Sequence, residues 1–157
     1  MRKRIIGEQP DQSGGDRDHW LDLQEIATVE VTSEDPRFPI EGAFEAHGGT
    51  GWRAAESGKQ RIRLIFDQPV AIHRIQLRFQ EAGFARTQEF SLRWSTAPDG
   101  PWKEIVRQQW NFSAGGSTTE VEDYMVDLDS VLVLELEIEP DIIRQNAVAS
   151  LASFRLL

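Results

Sequence analysis

The sequence predicts an all-β protein, an antiparallel sandwich or jelly roll of about eight strands, and three observations support this prediction. Stretches such as Ile75-Gln76-Leu77-Arg78-Phe79 alternate apolar and polar residues, as is typical of a strand with one buried face. Turn residues such as Asp99-Gly100 separate these stretches at short intervals. No stretch has the periodicity of a long amphipathic helix. Together these features favour an all-β fold.

Length and composition are those of one soluble domain. The 157 residues suffice for a single core, and 39% hydrophobic with 27% charged residues is ordinary for a globular protein. The formal charge of -9 argues against nucleic acid as a partner, because that binding needs Lys and Arg to neutralise phosphates. The chain has no cysteine, which excludes disulfides and thiolate zinc sites.

The N-terminal region differs from the rest of the chain. Residues 1–18 are polar and include Gln9-Pro10-Asp11-Gln12-Ser13-Gly14-Gly15, which has too little apolar surface to offset the entropy of ordering. We therefore expect a flexible tail over residues 1–18 and a domain over residues 19–157. The apolar part of the N-terminus stops after Ile5-Ile6, so we expect no export signal, no membrane segment and a cytoplasmic location.

The first part of the predicted domain holds one strand between irregular segments. Trp20–Val31 begins as a short helical turn and ends as a β-branched strand. Pro36 and Pro39 predict an irregular loop over residues 33–39, since proline interrupts both helices and central strands. Ile40–Lys59 has five glycines and no clean periodicity. We expect a long loop there, and such loops are often functional.

Period-two alternation predicts the remaining strands. The clearest signal is a β-hairpin from Phe90 to Ile105, in which Asp99-Gly100 supplies residues that tolerate positive φ at the turn. Its second strand is expected to open at Trp102 and to run to Trp110. The other predicted strands are Gln60–Phe66, Ile72–Gln80, Glu120–Leu128, Val131–Glu139 and Ala149–Leu156. Loops are expected at Glu81–Arg86, Asn111–Ser117 and Asp141–Ala147.

The polar faces of these strands carry charges of both signs, which we interpret as cross-strand ion pairs on a solvated face. The residues concerned are Arg61, Arg63, Arg74, Arg78 and Arg93, with Glu89, Glu135 and Glu137 as partners. Trp94 is in phase with Phe90 and Leu92, so we expect it to pack in the core.

No motif predicts an enzyme. The nearest match to a phosphate-binding loop, at Gly58-Lys59, lacks the first glycine and the final hydroxyl residue. His19, His47 and His73 stand far apart, without the spacing of a zinc site. The chain has no Gly-x-Ser-x-Gly elbow, and no spacing singles out one pair of its carboxylates. We expect no catalytic residue and no metal ligand.

Several short motifs follow one another in an order that resembles a known family. They are Val29-Glu30-Val31-Thr32-Ser33, Ile40-Glu41-Gly42, Thr50-Gly51-Trp52-Arg53-Ala54, Gln60-Arg61-Ile62-Arg63-Leu64, Ile72-His73-Arg74-Ile75, Phe90-Ser91-Leu92-Arg93-Trp94-Ser95, Asp99-Gly100-Pro101-Trp102 and Ala149-Ser150-Leu151. Their order and spacing, over residues 29–156, resemble the discoidin family. This family, also called the coagulation-factor type C or galactose-binding-like domain, is an eight-stranded antiparallel jelly roll that includes sugar-binding modules. The resemblance implies that fold here.

The resemblance also bears on metal binding. Many family members hold a structural calcium near an Asp-Gly, a Thr before the Trp and a Glu in the last strand. Here Glu41-Gly42 replaces the Asp-Gly, Thr50 stands one residue further from Trp52, and Ser153 takes the place of the Glu. Because calcium favours several carboxylates, the site looks degraded and we expect no cofactor.

Sugar-binding family members use loops at one end of the sandwich, often with a His after the motif tryptophan and an Arg ahead of the Ser-x3-Asp-Gly strand. This chain has Arg53 in the first place and Gln80-Glu81 near the second, so the usual galactose constellation is not reproduced. We expect a related polar set at one loop end, because planar polar groups bind hydroxyls while an aromatic face packs on the ring. The predicted ligand-binding residues are Glu34, Arg53, Arg86, Gln88, Gln108, Gln109, Trp110 and Asn111. For Gln108 and Asn111 the alternative is that they only satisfy turn backbone.

Two functions remain open at this point. The first is a non-catalytic carbohydrate-binding module that recognises a sugar through loops at one end of the sandwich. The second is an intracellular protein–protein interaction module of the same fold, favoured by the missing export signal and by the departures at the sugar and calcium positions. The resemblance favours the first, and the expected ligand is therefore a carbohydrate, with a protein as the alternative.

Overall fold

A computed structural model of the chain describes residues 20–45, 49–81, 85–113, 115–116 and 118–157. The predicted tail over residues 1–18, together with His19 and His47, lies outside them. The described residues form two short helices and eight strands, which are α1 (Leu23–Ile26), β1 (Ala27–Val31), α2 (Glu41–Phe44), β2 (Trp52–Ser57), β3 (Gln60–Gln80), β4 (Arg86–Ser95), β5 (Lys103–Phe112), β6 (Thr119–Glu139), β7 (Val148–Leu151) and β8 (Ser153–Leu156). Neither helix of this part of the chain is long and apolar enough to cross a membrane.

Antiparallel pairing joins the strands into two sheets. The larger sheet has the order β1-β3-β6-β4-β5, with β8 also paired to β3, and the smaller sheet consists of β2 and β7. The apolar faces of both sheets contribute to one core. The prediction of an eight-stranded antiparallel sandwich is confirmed.

The two longest strands, β3 and β6, take different neighbours along their length. They pair with each other from one end of β3 to the other. β1 pairs with residues 62–66 of β3, whereas β8 pairs with residues 75–78. β4 pairs with residues 133–139 of β6. The ladder between residues 65 and 74 of β3 is irregular, and such irregularities bend strands, which lets the two halves of β3 take different neighbours.

The sequence predicted a break within each long strand, and this was wrong. Gln60–Phe66 and Ile72–Gln80 are parts of the continuous β3, and Glu120–Leu128 and Val131–Glu139 are parts of β6. Pro69 lies in the stretch where the register shifts between Ile65 and Val70. A proline that cannot donate to the ladder is tolerated at such a shift, so it interrupts the pairing without ending the strand.

Two further predictions need correction. The stretch Ile40–Lys59, predicted as a loop, contains α2 and β2. The predicted closing strand Ala149–Leu156 is two short strands, of which β7 pairs with β2 and β8 pairs with β3. The chain changes sheets at Ala152, whose backbone N–H donates to the carbonyl of Arg78 at 2.8 Å. Alternation alone does not show that the two halves of a strand belong to different sheets.

The core consists of the apolar faces that the alternation predicts. Ile62 and Leu64 on the first part of β3, and Leu77 and Phe79 on its second part, are fully buried. The rings of Phe79 and Phe90 lie 5.2 Å apart between centroids. Each such side chain contributes roughly 1.5–3 kcal/mol when it is removed from water, so hydrophobic burial is the main force that holds the two layers together.

The predicted hairpin is formed by β4 and β5. Gly100 at the turn has φ +95, and a Cβ at this position would lie 3.0 Å from Cδ1 of Trp102. The second strand begins at Lys103, one residue later than predicted, and ends at Phe112. Trp94 packs against the core as expected but is only half-buried, since the register shifts directly after Leu92.

An ion-pair network covers the polar face of the large sheet. Glu135, 1% exposed, accepts hydrogen bonds from Arg63 at 2.7 Å and from Arg93 at 2.8 Å. The Arg93 guanidinium lies 4.1 Å from the centre of the Trp102 ring. Arg61 pairs with Glu137, one of the predicted glutamates, whereas Arg74 pairs with Asp123, a partner that was not predicted. Cross-strand register explains these pairs, because Arg63 and Arg93 lie opposite Glu135 on either side of it.

The variant E135Q is expected to lower the free energy of unfolding by about 2–3 kcal/mol, because it leaves two arginines without their buried counter-ion. Urea unfolding of both proteins measures the difference. The matched control is E104Q, which removes an exposed carboxylate on β5 and is expected to change stability by less than about 0.5 kcal/mol. Equal losses in the two variants would contradict this role of Glu135.

Candidate functional site

A small pocket lies at one end of the sandwich, where the loop after β1, the start of β2, the end of β3 and the β7–β8 junction meet. Its volume is about 150 Å³. We call it the end pocket, and the described residues that line it are Phe38, Thr50, Gly51, Trp52, Arg53, Gln80, Ser150, Leu151 and Ala152. The walls combine the rings of Phe38 and of the buried Trp52 with one guanidinium, one carboxamide and two hydroxyl groups.

Backbone hydrogen bonds fix the loop after β1 against β2. The N–H of Arg53 donates to the carbonyl of Phe38 at 3.1 Å, and the N–H of Asp35 donates to the carbonyl of Arg53 at 2.8 Å. Beneath them the buried Trp52 donates its indole N–H to the carbonyl of Ser33 at 3.1 Å. Arg53 therefore projects from a backbone that is held on both sides.

Gly51 is required at the rim of the end pocket for two reasons. Its φ of +77 lies in the left-handed region that side chains other than glycine rarely adopt. A Cβ on Gly51 would also lie 2.9 Å from the carbonyl oxygen of Leu151. The close approach of β2 to β7 at this end therefore depends on a glycine in the Thr50-Gly51-Trp52 motif.

The carboxylate of Glu81 joins the residues behind the pocket. Glu81, at the end of β3, is buried, and its Oε1 accepts a short hydrogen bond from Oγ of Ser150. The same oxygen lies 3.2 Å from Nη2 of Arg86 and 3.7 Å from Nη1 of Arg53. The single negative charge of Glu81 can neutralise only one of the two arginines, Arg53 and Arg86, and Arg86 is the closer of them.

Arg86 is the buried member of this arrangement. Its side chain is 5% exposed, it donates to the carbonyl of Val148 at 3.2 Å, and its guanidinium lies 5.9 Å from the centre of the Phe112 ring. Burial lowers the pKa of Arg86, while the nearby charge of Glu81 opposes that shift. The buried Arg86–Glu81 pair therefore lies behind the pocket wall, where Glu81 contacts both Arg53 and Ser150.

A second depression lies on the other side of Arg86. This Arg86 groove has a volume of about 290 Å³. Its lining residues in the described part of the chain are Ala85, Arg86, Thr87, Asn111, Phe112, Asp141, Ile143 and Arg144. Oδ1 of Asn111 accepts a hydrogen bond from the Thr87 hydroxyl at 2.7 Å. Of the predicted site residues, Arg53, Arg86 and Asn111 thus lie at the same end of the molecule.

A different group of predicted residues faces the interior. Gln88 and Trp110 lie opposite each other on β4 and β5, and Gln88 donates a hydrogen bond to Glu120 at 3.3 Å. Within the described part of the chain, Oε1 of Gln88, Nε1 of Trp110 and Oε2 of Glu120 are buried without a hydrogen-bond partner. Gln108 is half-buried and opposite the buried Phe90. These residues form an inner polar cluster, not part of the end pocket.

The two remaining predicted residues make local contacts. Gln109 is exposed on β5 and donates to Glu89 at 3.3 Å. Oε1 of Glu34 accepts a hydrogen bond from the backbone N–H of Ile40 at 3.0 Å. The expected convergence of all eight residues on one surface is therefore not observed, because alternation along β5 sends Trp110 and Gln109 to opposite faces.

Sequence reasoning missed Phe38 and Ser150 as site residues. Phe38 supplies the more exposed of the two aromatic rings of the end pocket, in the role that was expected of Trp110. Ser150 follows Ala149 in a predicted strand, and its role appears only when β7 is placed beside β2 and Glu81. The available sequence signal for a role of Ser150 was its position in Ala149-Ser150-Leu151, one of the motifs that resemble the discoidin family.

The residues at the family calcium position do not fit that ion. Of the three residues concerned, only Glu41 carries a carboxylate, and it is exposed at the start of α2. Oγ of Ser153 is buried on β8. No group of three potential His, Cys, Asp or Glu ligands occurs among the described residues. Since calcium needs about six oxygen ligands, we derive no role for it.

Solved structures with this fold include carbohydrate-binding modules. The family 32 module from C. perfringens NanJ in complex with galactose has a TM-score of 0.63 and 13% identity, over 87% of this chain and 96% of that chain. The CBM32 of AlyQ in complex with 4,5-unsaturated mannuronic acid has a TM-score of 0.61 and 16% identity, over 84% and 95%. A Ruminococcus gnavus GH29 fucosidase in complex with fucose has a TM-score of 0.66 and 11% identity, over 87% and 26%.

The likeness to these structures lies in the fold. No protein-family model matches the chain, and no curated protein sequence matches it. At these identities the comparisons show a galactose-binding-domain-like β-sandwich, as the sequence motifs predicted.

The inner polar cluster generates a prediction about pH. Burial, and then the hydrogen bonding and charge of Glu122 beside it, raise the pKa of Glu120 to about 8 from an ordinary value of 4.5. The folded protein therefore binds this proton more tightly than the unfolded chain does, and its stability falls as pH rises through that interval. We expect the wild type to lose about 2 kcal/mol of unfolding free energy between about pH 6 and pH 9 from this group.

Urea unfolding of wild type and E120Q at both pH values measures this contribution. E120Q, which cannot ionise, is expected to show a pH dependence smaller by about 2 kcal/mol. The control E56Q removes an exposed carboxylate on β2 and should leave the wild-type dependence intact. An unchanged pH dependence in E120Q would contradict the raised pKa.

Proposed function

We propose that this chain is a non-catalytic carbohydrate-binding module that binds a sugar in the end pocket. The single observation that carries the proposal is the composition of the pocket walls. Phe38 offers an aromatic ring, Arg53 and Gln80 offer planar hydrogen-bonding groups, and Thr50 and Ser150 offer hydroxyls. Sugar recognition needs this mixture, since hydroxyls require polar partners and the ring packs on an apolar face.

The contacts of the Glu81 carboxylate favour a binding function over a catalytic one for the end pocket. Its Oε1 faces Ser150, Arg86 and Arg53 at once. A general acid or base must exchange a proton with the substrate within hydrogen-bond reach, and a buried carboxylate surrounded by donors is poorly placed for this. Glu81 instead orients the side chains that would contact a sugar.

The structural neighbours support the same proposal. Two of them are carbohydrate-binding modules in complex with galactose or with an unsaturated mannuronic acid, and a third is described as a pectin-binding module. They favour a carbohydrate over a protein as the ligand. The ordered motifs over residues 29–156 further lead us to infer a relation to the discoidin family.

Calorimetric titration with a panel of neutral and acidic oligosaccharides tests this function. We expect at least one to bind with a Kd of about 1 mM or tighter. Q80A, which removes an exposed carboxamide from the pocket wall, is expected to weaken that binding about 5- to 20-fold through a lost hydrogen bond.

The matched control is Q109A, since Gln109 is an equally exposed glutamine outside the pocket. Its affinity should remain within about twofold of the wild type. Two results would speak against the proposal: the absence of any binding at millimolar concentrations, or an equal loss of affinity in both variants.

A further inference from the structure

We infer that the sugar bound by the end pocket carries a carboxylate, as in a uronic acid, and that Arg53 binds this group. The inference rests on the proposed function and names its substrate class. Among the described residues that line the pocket, Arg53 is the only charged one, and no carboxylate shares the wall with it. A ligand that enters the pocket therefore meets a positive charge, which favours an anionic group.

The local charge is opposite to that of the protein as a whole. The chain has a formal charge of -9, and such a field repels an acidic polysaccharide at long range. A neutral sugar can use a guanidinium only as a hydrogen-bond donor, whereas an acidic sugar also gains from its charge. A pocket whose one charged group is a guanidinium is therefore better matched to an acidic sugar than to a neutral one.

The carboxylates nearest to Arg53 have closer partners. Glu81 lies 3.7 Å from Arg53 but 3.2 Å from the buried Arg86, and it also accepts the Ser150 hydroxyl. Asp35 is held by both the backbone and the guanidinium of Arg37, the latter at 2.8 Å. Asp141 lies on the far side of Arg86, in the Arg86 groove. These contacts leave the guanidinium of Arg53 only weakly compensated.

Arg53 is also accessible and pre-positioned. Its side chain is 40% exposed, in contrast to the 5% of Arg86. The guanidinium lies 5.7 Å from the centre of the Phe38 ring, and backbone hydrogen bonds to Phe38 and Asp35 fix its strand. A guanidinium held in this way can offer two parallel N–H groups to a carboxylate, the geometry that arginine provides and lysine does not.

The rest of the wall serves the hydroxyl groups of the same sugar. Gln80 and Thr50 are exposed polar residues at the rim, and Ser150 lies at the base. These groups would contact neutral and acidic sugars alike. The carboxylate contact adds to them, and a charge-assisted pair of this kind corresponds to a preference of about 10-fold or more.

The experiment compares oligosaccharides that differ only at C6: oligogalacturonate against oligogalactose, and oligomannuronate against oligomannose. The probes are titrated into the full chain at low salt. We expect at least one uronate to bind about 10-fold or more tightly than its neutral counterpart. R53Q is expected to reduce this preference to less than about twofold, because it weakens binding of the uronate more than binding of its neutral counterpart. R53K keeps the positive charge but lacks the two parallel N–H groups of the guanidinium, so it should retain an intermediate preference for the uronate.

R107Q is the matched control, because it removes the same charge from an exposed residue of β5 and should leave the preference unchanged. Circular dichroism of each variant confirms that it is folded. If neutral sugars bind as tightly as uronates, or if R53Q weakens both equally, this inference fails while the proposed function stands. If no saccharide binds to the folded wild type, both fail.

Discussion

The pairing of β3 with β6 is the constraint on which the rest of the structure depends. The two strands pair along their whole length, yet β1 and β4 join them in one part and β8 in the other. The irregular stretch around residues 65–74 of β3 allows this change of neighbours. The end of β3 thereby reaches the small sheet, and this places Gln80 and Glu81 beside β2 and β7.

The candidate site follows from that placement. Glu81 directly follows β3, Arg86 begins β4, and Ser150 lies on β7, so one carboxylate contacts residues of two other strands. The cost of burying Arg86 and Glu81 is offset by their opposite charges, which lie 3.2 Å apart, and by the hydrogen bonds that Ser150 donates to Glu81 and that Arg86 donates to the carbonyl of Val148. Glu81 of this pair also contacts Arg53, the exposed member of the group. The arrangement of the pocket wall thus depends on electrostatics in the interior.

Much of the fold could be predicted from the sequence, because alternation directly reports which face of a strand is buried. The buried face of Leu77 and Phe79 followed from period-two alternation, and the turn at Gly100 followed from the Asp99-Gly100 dipeptide. Charges on the polar faces indicated cross-strand ion pairs without showing which residues pair. The continuation of β3 past Pro69 could not be predicted. A proline normally indicates the end of a strand, and only the register shift between β3 and β6 at this position shows why the strand continues. The division of the last predicted strand into β7 and β8 could not be predicted either, because it depends on the strands with which they pair, β2 and β3 respectively.

Less of the site was predictable. The family-like motif pointed to Arg53, which the structure places on β2 in the wall of the end pocket, because its position after Trp52 is fixed locally. Trp110 and Gln109 were grouped with it by their proximity in sequence, although adjacent strand residues face opposite sides. The pocket's more exposed aromatic ring, Phe38, comes from a loop whose position is fixed by backbone hydrogen bonds to β2. Such long-range contacts leave no periodic signal.

The change of sheets at Ala152 has a mechanical consequence. The end pocket touches β2 and β7 of the small sheet and Gln80 of the large one, so its occupant spans the seam between them. A ligand bound there would contact both sheets and oppose their local separation. Amide hydrogens along β7 and β8 would therefore exchange more slowly while the ligand is bound.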